Sequence, residues 1–187
     1  MNKTALVLID VQKGLDAPEL GERNNPDAES NMVMLLAQWR KHSGLVIHVK
    51  HNSTEPNSTL RPELTGNEIK DIVKPLADEK IFEKNVNSAF IGTGLESYLN
   101  DLGVRDLVIA GLTTDHCVST TVRMASNLGF TVWLVEDATA TFERQSYDGV
   151  QYSAEQMHQI NLASLNGEFC SVLNTVSALS RAVNSMG

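Results

Sequence analysis

Short apolar runs rich in β-branched residues recur along the chain, and amphipathic segments separate them. Strands that helices cover on both faces have this continuous apolar character, whereas half-exposed strands alternate. The pattern therefore predicts an α/β fold with a parallel sheet between two layers of helices. The predicted strands are Ala5–Ile9, Leu45–Val49, Ile81–Phe82, Leu107–Ala110, Val132–Val135 and Phe169–Leu173.

Helix signals stand between these runs. Asn25-Pro26 supplies a cap and a first-turn proline for a helix that Gly44 ends. Asp115 is placed to cap a second helix that Gly129 closes. A third helix is predicted over Ala154–Leu165. The apolar stripes that support the first two helices are Met32, Leu35, Leu36 and Trp39, then Val118, Val122 and Ala125.

Length and charge narrow the class of protein. The 187 residues, 42% of them hydrophobic, fit a single globular domain over residues 1–187, and no linker divides them. A net charge of -8 argues against nucleic acid or an anionic membrane as a partner, since either needs a basic face. A small-molecule substrate is therefore the expected partner.

The ends and the cysteines suggest a cytoplasmic protein. Asp10 interrupts the first apolar run and no small-residue cleavage site follows, which argues against a signal peptide. No apolar stretch approaches the roughly 20 residues that a membrane-spanning helix needs. Cys117 and Cys170 are therefore expected to be free thiols.

Three reactive side chains follow predicted strands. Asp10 comes after ALVLI, Lys84 ends KIFEK, and Cys117 follows LVIAGLTTDH. Ligands of open parallel sheets bind beyond the carboxyl ends of the strands, so these side chains are expected to meet. Alone, each has an ordinary alternative: a turn cap, a surface charge and a small buried hydrophobe. Their coincidence predicts a reactive site.

Position favours Cys117 as a nucleophile. The first turn of a helix lowers a thiol pKa, and its free N–H groups can form an oxyanion hole. Lys84 would stabilise the thiolate and keep Asp10 ionised. Asp10 would then take the thiol proton and return it to the leaving group.

The segments ALVLIDVQKG, EKNVNSAFIGTGL, LVIAGLTTDHCVSTTVRMA and VEDATATF, in that order, resemble the isochorismatase-like cysteine hydrolase superfamily, which includes nicotinamidases and N-carbamoylsarcosine amidohydrolase. The resemblance covers nearly the whole chain. It implies a Rossmann-like three-layer α/β/α sandwich around a parallel six-stranded sheet of order 3-2-1-4-5-6. It also implies a homo-oligomer, a dimer or tetramer.

The resemblance assigns roles to individual residues. Asp10 becomes the general base and acid, Lys84 the second triad member and Cys117 the nucleophile. A cis peptide between Leu112 and Thr113 would turn the N–H groups of Thr113 and Cys117 towards the substrate carbonyl. The implied function is cofactor-independent hydrolysis of a C–N (amide) bond through a thioester on Cys117.

One departure concerns metal. Nicotinamidases usually carry an aspartate and several histidines after the second strand to hold a metal ion. This chain has HVKHNSTEPNS there, with His48 and His51 but no acidic residue between them. Side chains three residues apart on a strand point to opposite faces, so no metal site is expected from this pair. His51 is instead expected to line or border the pocket, the alternative being a loop histidine bonded to backbone.

Further substrate contacts are expected from Gln12, Leu15 and Phe90, although Leu15 could pack under a loop and Phe90 could be a core aromatic. The polar stretch 51–66 reads as a long loop of the kind that often has a function. His116 adjoins the nucleophile but is not expected to be its base, because adjacent helical residues diverge by about 100°.

Two other classes of function stay open. Enzymes that cleave isochorismate often lack the cysteine, and they protonate a vinyl ether without a covalent intermediate. Asp10 would then be the acid. A non-catalytic binding or oligomer scaffold is the third possibility, and it predicts an unreactive thiol at Cys117.

Overall fold

Six parallel strands form the central sheet in a computed structural model that describes the backbone of residues 3–186 and the side chains of residues 3–181. The strands of the described chain are β1 (Lys3–Ile9), β2 (Leu45–His51), β3 (Lys80–Lys84), β4 (Val104–Leu112), β5 (Thr131–Ala140), β6 (Arg144–Gln145), β7 (Gln151–Tyr152) and β8 (Ser171–Leu173). Strands β6 and β7 form a separate antiparallel hairpin, so β8 is the sixth strand of the sheet. The sheet order β3-β2-β1-β4-β5-β8 therefore confirms the predicted order 3-2-1-4-5-6.

Helices cover both faces of this sheet, as the apolar runs predict. The α-helices are α1 (Ala28–Lys41), α2 (Leu95–Asp101), α3 (Ser119–Asn127), α4 (Ala154–Leu165) and α5 (Thr175–Met186). Helices α1 and α5 contribute to the core on one face, and α2, α3 and α4 contribute to the core on the other. Within residues 3–186, no helix is both long and apolar enough to cross a membrane.

The central strand β1 contributes side chains to both cores. Ala5, Val7 and Ile9 belong to the cluster beneath α2, α3 and α4, whereas Leu6 and Leu8 belong to the cluster beneath α1. All five are at most 1% exposed. Successive side chains of a strand alternate between faces, so a strand enclosed by two helical layers must be apolar at every position.

The structure corrects the two predicted N-caps. Helix α1 has Asp27 at its N-cap, and the Asn25 side chain donates instead to the carbonyls of Glu136 and Thr139. Asp115 lies inside a π-helical turn, Thr114–Val118, that precedes α3. Its carboxylate accepts a hydrogen bond from Arg144 Nε at 2.9 Å. The carboxylate thus binds a residue that is distant in the chain and does not cap α3.

Candidate active site

The carboxyl ends of β1, β3 and β4 bring the three predicted reactive residues together. Asp10 follows β1, Lys84 ends β3, and Cys117 lies in the π-helical turn after β4. Lys84 Nζ is 2.6 Å from Asp10 Oδ2 and 3.2 Å from Cys117 Sγ. Asp10 and Lys84 are almost fully buried. Their proximity agrees with the rule that strand ends of a parallel sheet share one edge.

A close approach of β1 and β4 shapes this edge. Ile9 and Gly111 are paired in register, and Gly111 has a φ of +129°. A Cβ at Gly111 would lie 2.1 Å from the Ile9 carbonyl oxygen, so only glycine fits. Asp10, with φ +50°, turns away directly after this contact. The peptide between Leu112 and Thr113 is cis, as the resemblance implies.

Lys84 has a third partner that the sequence did not reveal. Its Nζ lies 3.0 Å from His51 Nδ1, so the three ammonium hydrogens have acceptors on Asp10, His51 and Cys117. An ammonium only donates, which makes Nδ1 the acceptor and places the imidazole proton on Nε2. Burial, with the Lys84 charge as a second cause, lowers the pKa of His51 to about 4. His51 is therefore a neutral part of the centre.

Asp10 has one occupied and one free oxygen. Lys84 occupies Oδ2, whereas Oδ1 is buried and has no hydrogen-bond partner among the described residues. Burial raises the pKa of Asp10, and the attraction of Lys84 offsets this only in part. Lys84 thus favours the ionised form of Asp10, as expected, but burial is the larger effect and the sequence did not reveal it. A buried carboxylate oxygen without a donor is suited to accept a proton.

The Cys117 thiol is protonated in the resting site. Burial, with the Asp10 charge as the second cause, raises the pKa of Cys117 to about 12, although Lys84 acts in the opposite direction. The expectation of a lowered thiol pKa is wrong, because burial and a neighbouring carboxylate outweigh the helix start. A thiol with so high a pKa stays protonated unless a neighbouring group takes its proton. Carboxylate oxygen, imidazole nitrogen and thiol sulfur of Asp10, His51 and Cys117 all lie within 4.8 Å of one another.

A cavity of about 450 Å³ opens beside Cys117. That volume suits a small-molecule ligand. Leu15, His51 and Thr113 lie on its wall, as predicted. The other wall residues are Asp10, Leu20, Ser58, Leu60, Asn87, Leu112, His116, Cys117, Phe142 and Arg144. One part of the wall is thus apolar and the part around the thiol is polar.

Two predicted substrate contacts are corrected. Gln12 is fully buried, and its Nε2 donates to the carbonyls of His51 and Asn67 at 3.0 and 2.8 Å while its Oε1 accepts from His51 N. These bonds hold the end of β2 and leave no amide group for a ligand. The Phe90 ring stacks on Phe130, with centroids 5.8 Å apart, and neither ring lies on the cavity wall. Neither Gln12 nor Phe90 lies on the wall of this cavity.

Several wall residues were missed in the sequence. Asn87 lies three residues after Lys84, and its Oδ1 is 3.6 Å from Cys117 Sγ. Phe142 and Arg144 follow the carboxyl end of β5. The strand-end rule that found Asp10 would have found all three, had it been extended beyond the reactive residue types. Leu20 and Leu60 carry no such signal, since only folding brings their loops to the cavity.

The two histidines of β2 lie on opposite faces, as their spacing predicts. His48 is buried and its Nε2 lies 3.0 Å from Glu79 Oε2, whereas His51 faces Lys84. Asp10, His51 and Cys117 are the described residues placed to share a metal ion. Lys84 Nζ is bonded to all three of these groups. A bound cation at their centre would compete with that ammonium.

Comparison with known proteins identifies the family of this chain. Residues 4–175 match the Isochorismatase domain. The chain is 47% identical over 173 residues to an uncharacterized isochorismatase family protein, YrdC, of Bacillus subtilis, covering 92% of each chain. A crystal structure of a hydrolase of the isochorismatase family from Chromobacterium violaceum superimposes with a TM-score of 0.95 at 44% identity, covering 98% of this chain and 95% of that one.

A functionally named relative is more distant. Streptothricin hydrolase of Streptomyces noursei is 32% identical over 149 residues, which cover 78% of this chain and 58% of that protein. The matched domain spans β1 to the start of α5 and includes Asp10, Lys84 and Cys117. The chain therefore belongs to the isochorismatase family of hydrolases.

Proposed function

We propose that this chain is a cysteine amidohydrolase, which cleaves a C–N bond of a small molecule through a thioester on Cys117. The observation that carries this proposal is the bond pattern of Lys84, whose ammonium joins the carboxylate of Asp10 to the sulfur of Cys117 beside a cavity. A nucleophile, a proton acceptor and a fixed positive charge are the parts that acyl transfer requires.

Acylation begins from the neutral thiol. As Cys117 Sγ attacks the amide carbon, its proton passes to the free Oδ1 of Asp10. Lys84 stabilises the sulfur while negative charge develops on it, and the N–H groups of Thr113 and Cys117 donate to the carbonyl oxygen. The C–N bond then breaks, and Asp10 gives its proton to the departing nitrogen.

Deacylation uses the same groups in reverse. Asp10, again ionised, takes a proton from a water molecule that attacks the thioester carbon. The C–S bond breaks, the carboxylic acid leaves, and Asp10 returns the proton to Cys117 Sγ. A raised Asp10 pKa suits this cycle, because the carboxyl must hold a proton during each half-reaction and release it afterwards. The cycle requires no cofactor.

The cavity wall supports a small, partly apolar substrate. Leu15, Leu20 and Phe142 face the space next to the nucleophile. The name of the streptothricin hydrolase relative is consistent with hydrolysis on this fold.

Cys117→Ala tests the proposal. With ammonia or amine release measured over a panel of small amides that includes nicotinamide, N-carbamoyl compounds and lactams, the variant should lose all activity on whichever compound the unaltered protein cleaves. Cys170→Ala is the matched control, since Cys170 is the other free thiol and lies in the core near β8. Full amidase activity in Cys117→Ala would rule out the thioester.

A second candidate, hydrolysis of a vinyl ether without a covalent intermediate, is favoured by one observation. Burial raises the pKa of Asp10, and a protonated carboxyl could donate a proton to such an ether. Under that mechanism Cys117→Ala retains activity on isochorismate, whereas Asp10→Asn loses it. The same pair of variants therefore separates the two candidates.

A further inference from the structure

Three side chains of the centre are of the types that bind zinc. Asp10 offers a carboxylate oxygen, His51 an imidazole nitrogen and Cys117 a sulfur, and these atoms lie within 4.8 Å of one another. Zinc in proteins binds oxygen, nitrogen and sulfur ligands of these three types at about 2.0–2.3 Å. The three residues come from the ends of β1 and β2 and from the turn after β4, so the ligand set is built by the fold.

One ligand atom of this set is unpartnered. Asp10 is 1% exposed, and its Oδ1 has no hydrogen-bond donor among the residues that the structure describes. Buried polar atoms almost always have a partner, and an exception calls for an explanation, of which a catalytic role or a bound water or ion are examples. This free oxygen belongs to the carboxylate that joins His51 and Cys117 in the cluster.

The Lys84 ammonium contacts all three of these side chains. Nζ lies 2.6 Å from Asp10 Oδ2, 3.0 Å from His51 Nδ1 and 3.2 Å from Cys117 Sγ. The ammonium places a positive charge next to these three atoms, as a coordinated cation would. It also repels any second cation strongly, because the site is buried and the effective dielectric constant is low.

We propose that Asp10, His51 and Cys117 form a latent site for a thiophilic divalent cation such as Zn²⁺, and that Lys84 keeps this site from binding metal. Binding forms Zn–S, Zn–N and Zn–O bonds, releases the Cys117 proton to solvent and displaces the ammonium from its three acceptors. In the unaltered protein Zn²⁺ therefore binds weakly and blocks the nucleophile. Without the ammonium it binds tightly.

Lys84→Met tests this assignment, because methionine keeps the length of the side chain and removes its charge. Zn²⁺ affinity, measured by calorimetry, should be at least about 100-fold higher in Lys84→Met than in the unaltered protein. Co²⁺ added to Lys84→Met should give a sulfur-to-cobalt charge-transfer band. Lys74→Met is the matched control, since Lys74 is exposed, and its affinity for Zn²⁺ should equal that of the unaltered protein.

Ligand variants decide whether the metal is where the geometry puts it. In the Lys84→Met background, Cys117→Ser should abolish the cobalt band, and His51→Ala should lower Zn²⁺ affinity at least about tenfold. Equal affinity in Lys84→Met and the unaltered protein would overturn the assignment, as would a band that survives Cys117→Ser.

A direct measurement on the unaltered protein guards against a misfolded variant. Millimolar Zn²⁺ should slow alkylation of Cys117 by iodoacetamide, and EDTA should restore the rate. Alkylation that is indifferent to Zn²⁺ would count against the proposal even if Lys84→Met does not fold. None of these readouts needs a substrate, so their outcome is independent of whether the protein hydrolyses amides.

Discussion

Two buried carboxylates sit at different places in this fold, and they differ in how completely they are bonded. Glu79 accepts hydrogen bonds from Arg40 Nε at 2.7 Å, from Arg40 Nη2 at 2.9 Å and from Leu76 N at 2.9 Å. His48 Nε2 also lies 3.0 Å from Glu79 Oε2. Asp10 has a cation and a histidine nearby as well, yet only one of its oxygens is bonded, to Lys84.

The electrostatic consequence is opposite at the two sites. Hydrogen bonds from Arg40 and its neighbours overcome the cost of burial and lower the pKa of Glu79 to about 2. At Asp10 burial is the larger effect, and the pKa is raised. A saturated carboxylate stays ionised and stabilises the fold, whereas a half-bonded carboxylate with a raised pKa accepts a proton more readily.

Cavity size does not identify the reactive site. The cavity of about 640 Å³ that Arg40 and Glu79 line is larger than the cavity of about 450 Å³ that Asp10 and Cys117 line. Arg40 and Glu79 there already satisfy each other. The bonding state of the carboxylate is the better guide to chemistry.

The largest expected effect is on catalysis at Asp10. Asp10→Asn keeps the shape and a hydrogen-bond acceptor for Lys84 but cannot take the thiol proton. With the best substrate from the amide panel, kcat/KM should fall by about 10³-fold, the scale of a lost general base. Glu79→Gln, the equivalent change at the saturated carboxylate, should leave kcat/KM within about twofold. A loss of less than tenfold in Asp10→Asn would contradict the contrast.

The free energy of unfolding, unlike catalysis, should depend strongly on Glu79. Glu79→Gln leaves Arg40 without its counter-charge and weakens the bonds to His48 and Leu76 N, so the free energy of unfolding should fall by about 2 kcal/mol. Urea unfolding followed by circular dichroism measures this loss. Arg40→Lys is a useful companion, because it keeps the charge but not the two parallel bonds, and it should lose less. An unchanged unfolding free energy in Glu79→Gln would show that the network is not structural.

Acid should weaken the fold through three histidines whose pKa values are lowered. Burial is the first cause of the lowered pKa values of His48, His51 and His158. An unfolded chain binds protons at these residues near pH 6.5, whereas the folded chain binds them only at lower pH, so stability falls as the pH drops below about 6.5. For partly exposed His51, whose pKa is lowered to about 4, the loss between pH 7 and pH 5 should be about 1 kcal/mol after solvent screening.

Urea unfolding at pH 7, 6 and 5 measures this slope. His158 offers a separate check, because its Nδ1 lies 2.8 Å from Thr114 Oγ1 in the turn that carries Cys117. His158→Gln should reduce the pH dependence between pH 7 and 5 while retaining a polar partner for Thr114. Stability that stays constant or rises as the pH falls to 5 would contradict the assignment of neutral histidines.

The sequence was sufficient for the parts of the site that follow from topology. Asp10, Lys84 and Cys117 stand at strand ends, and parallel strand ends must meet, so their proximity was predictable from short local patterns. The same holds for the opposite directions of His48 and His51, because alternation along a strand is fixed by backbone geometry. The order of the strands in the sheet was predicted from the family resemblance and not from these local patterns.

Electrostatics and side-chain bonding were not predictable in this way. The pKa values of Asp10 and Cys117 depend on how deeply the whole fold buries them, and burial reversed the direction expected from local position. Gln12 looked like a substrate contact because it follows Asp10 closely. Its amide is instead bonded to backbone groups of His51 and Asn67, which are distant in the chain. Such partners are chosen by packing, which a linear pattern does not encode.

The smallest expected effect concerns an exposed ion pair of similar length. Lys13 Nζ lies 2.7 Å from Glu68 Oε2, the same distance that separates Arg40 Nε from Glu79 Oε1. The side chain of Glu68 is 60% exposed, however, and that of Glu79 only 7%. Water stabilises the exposed Glu68 carboxylate almost as well as Lys13 does, so Glu68→Gln should not measurably change the urea midpoint of unfolding. A loss as large as that of Glu79→Gln would mean that contact distance, rather than burial and saturation of the carboxylate, ranks the ion pairs of this protein.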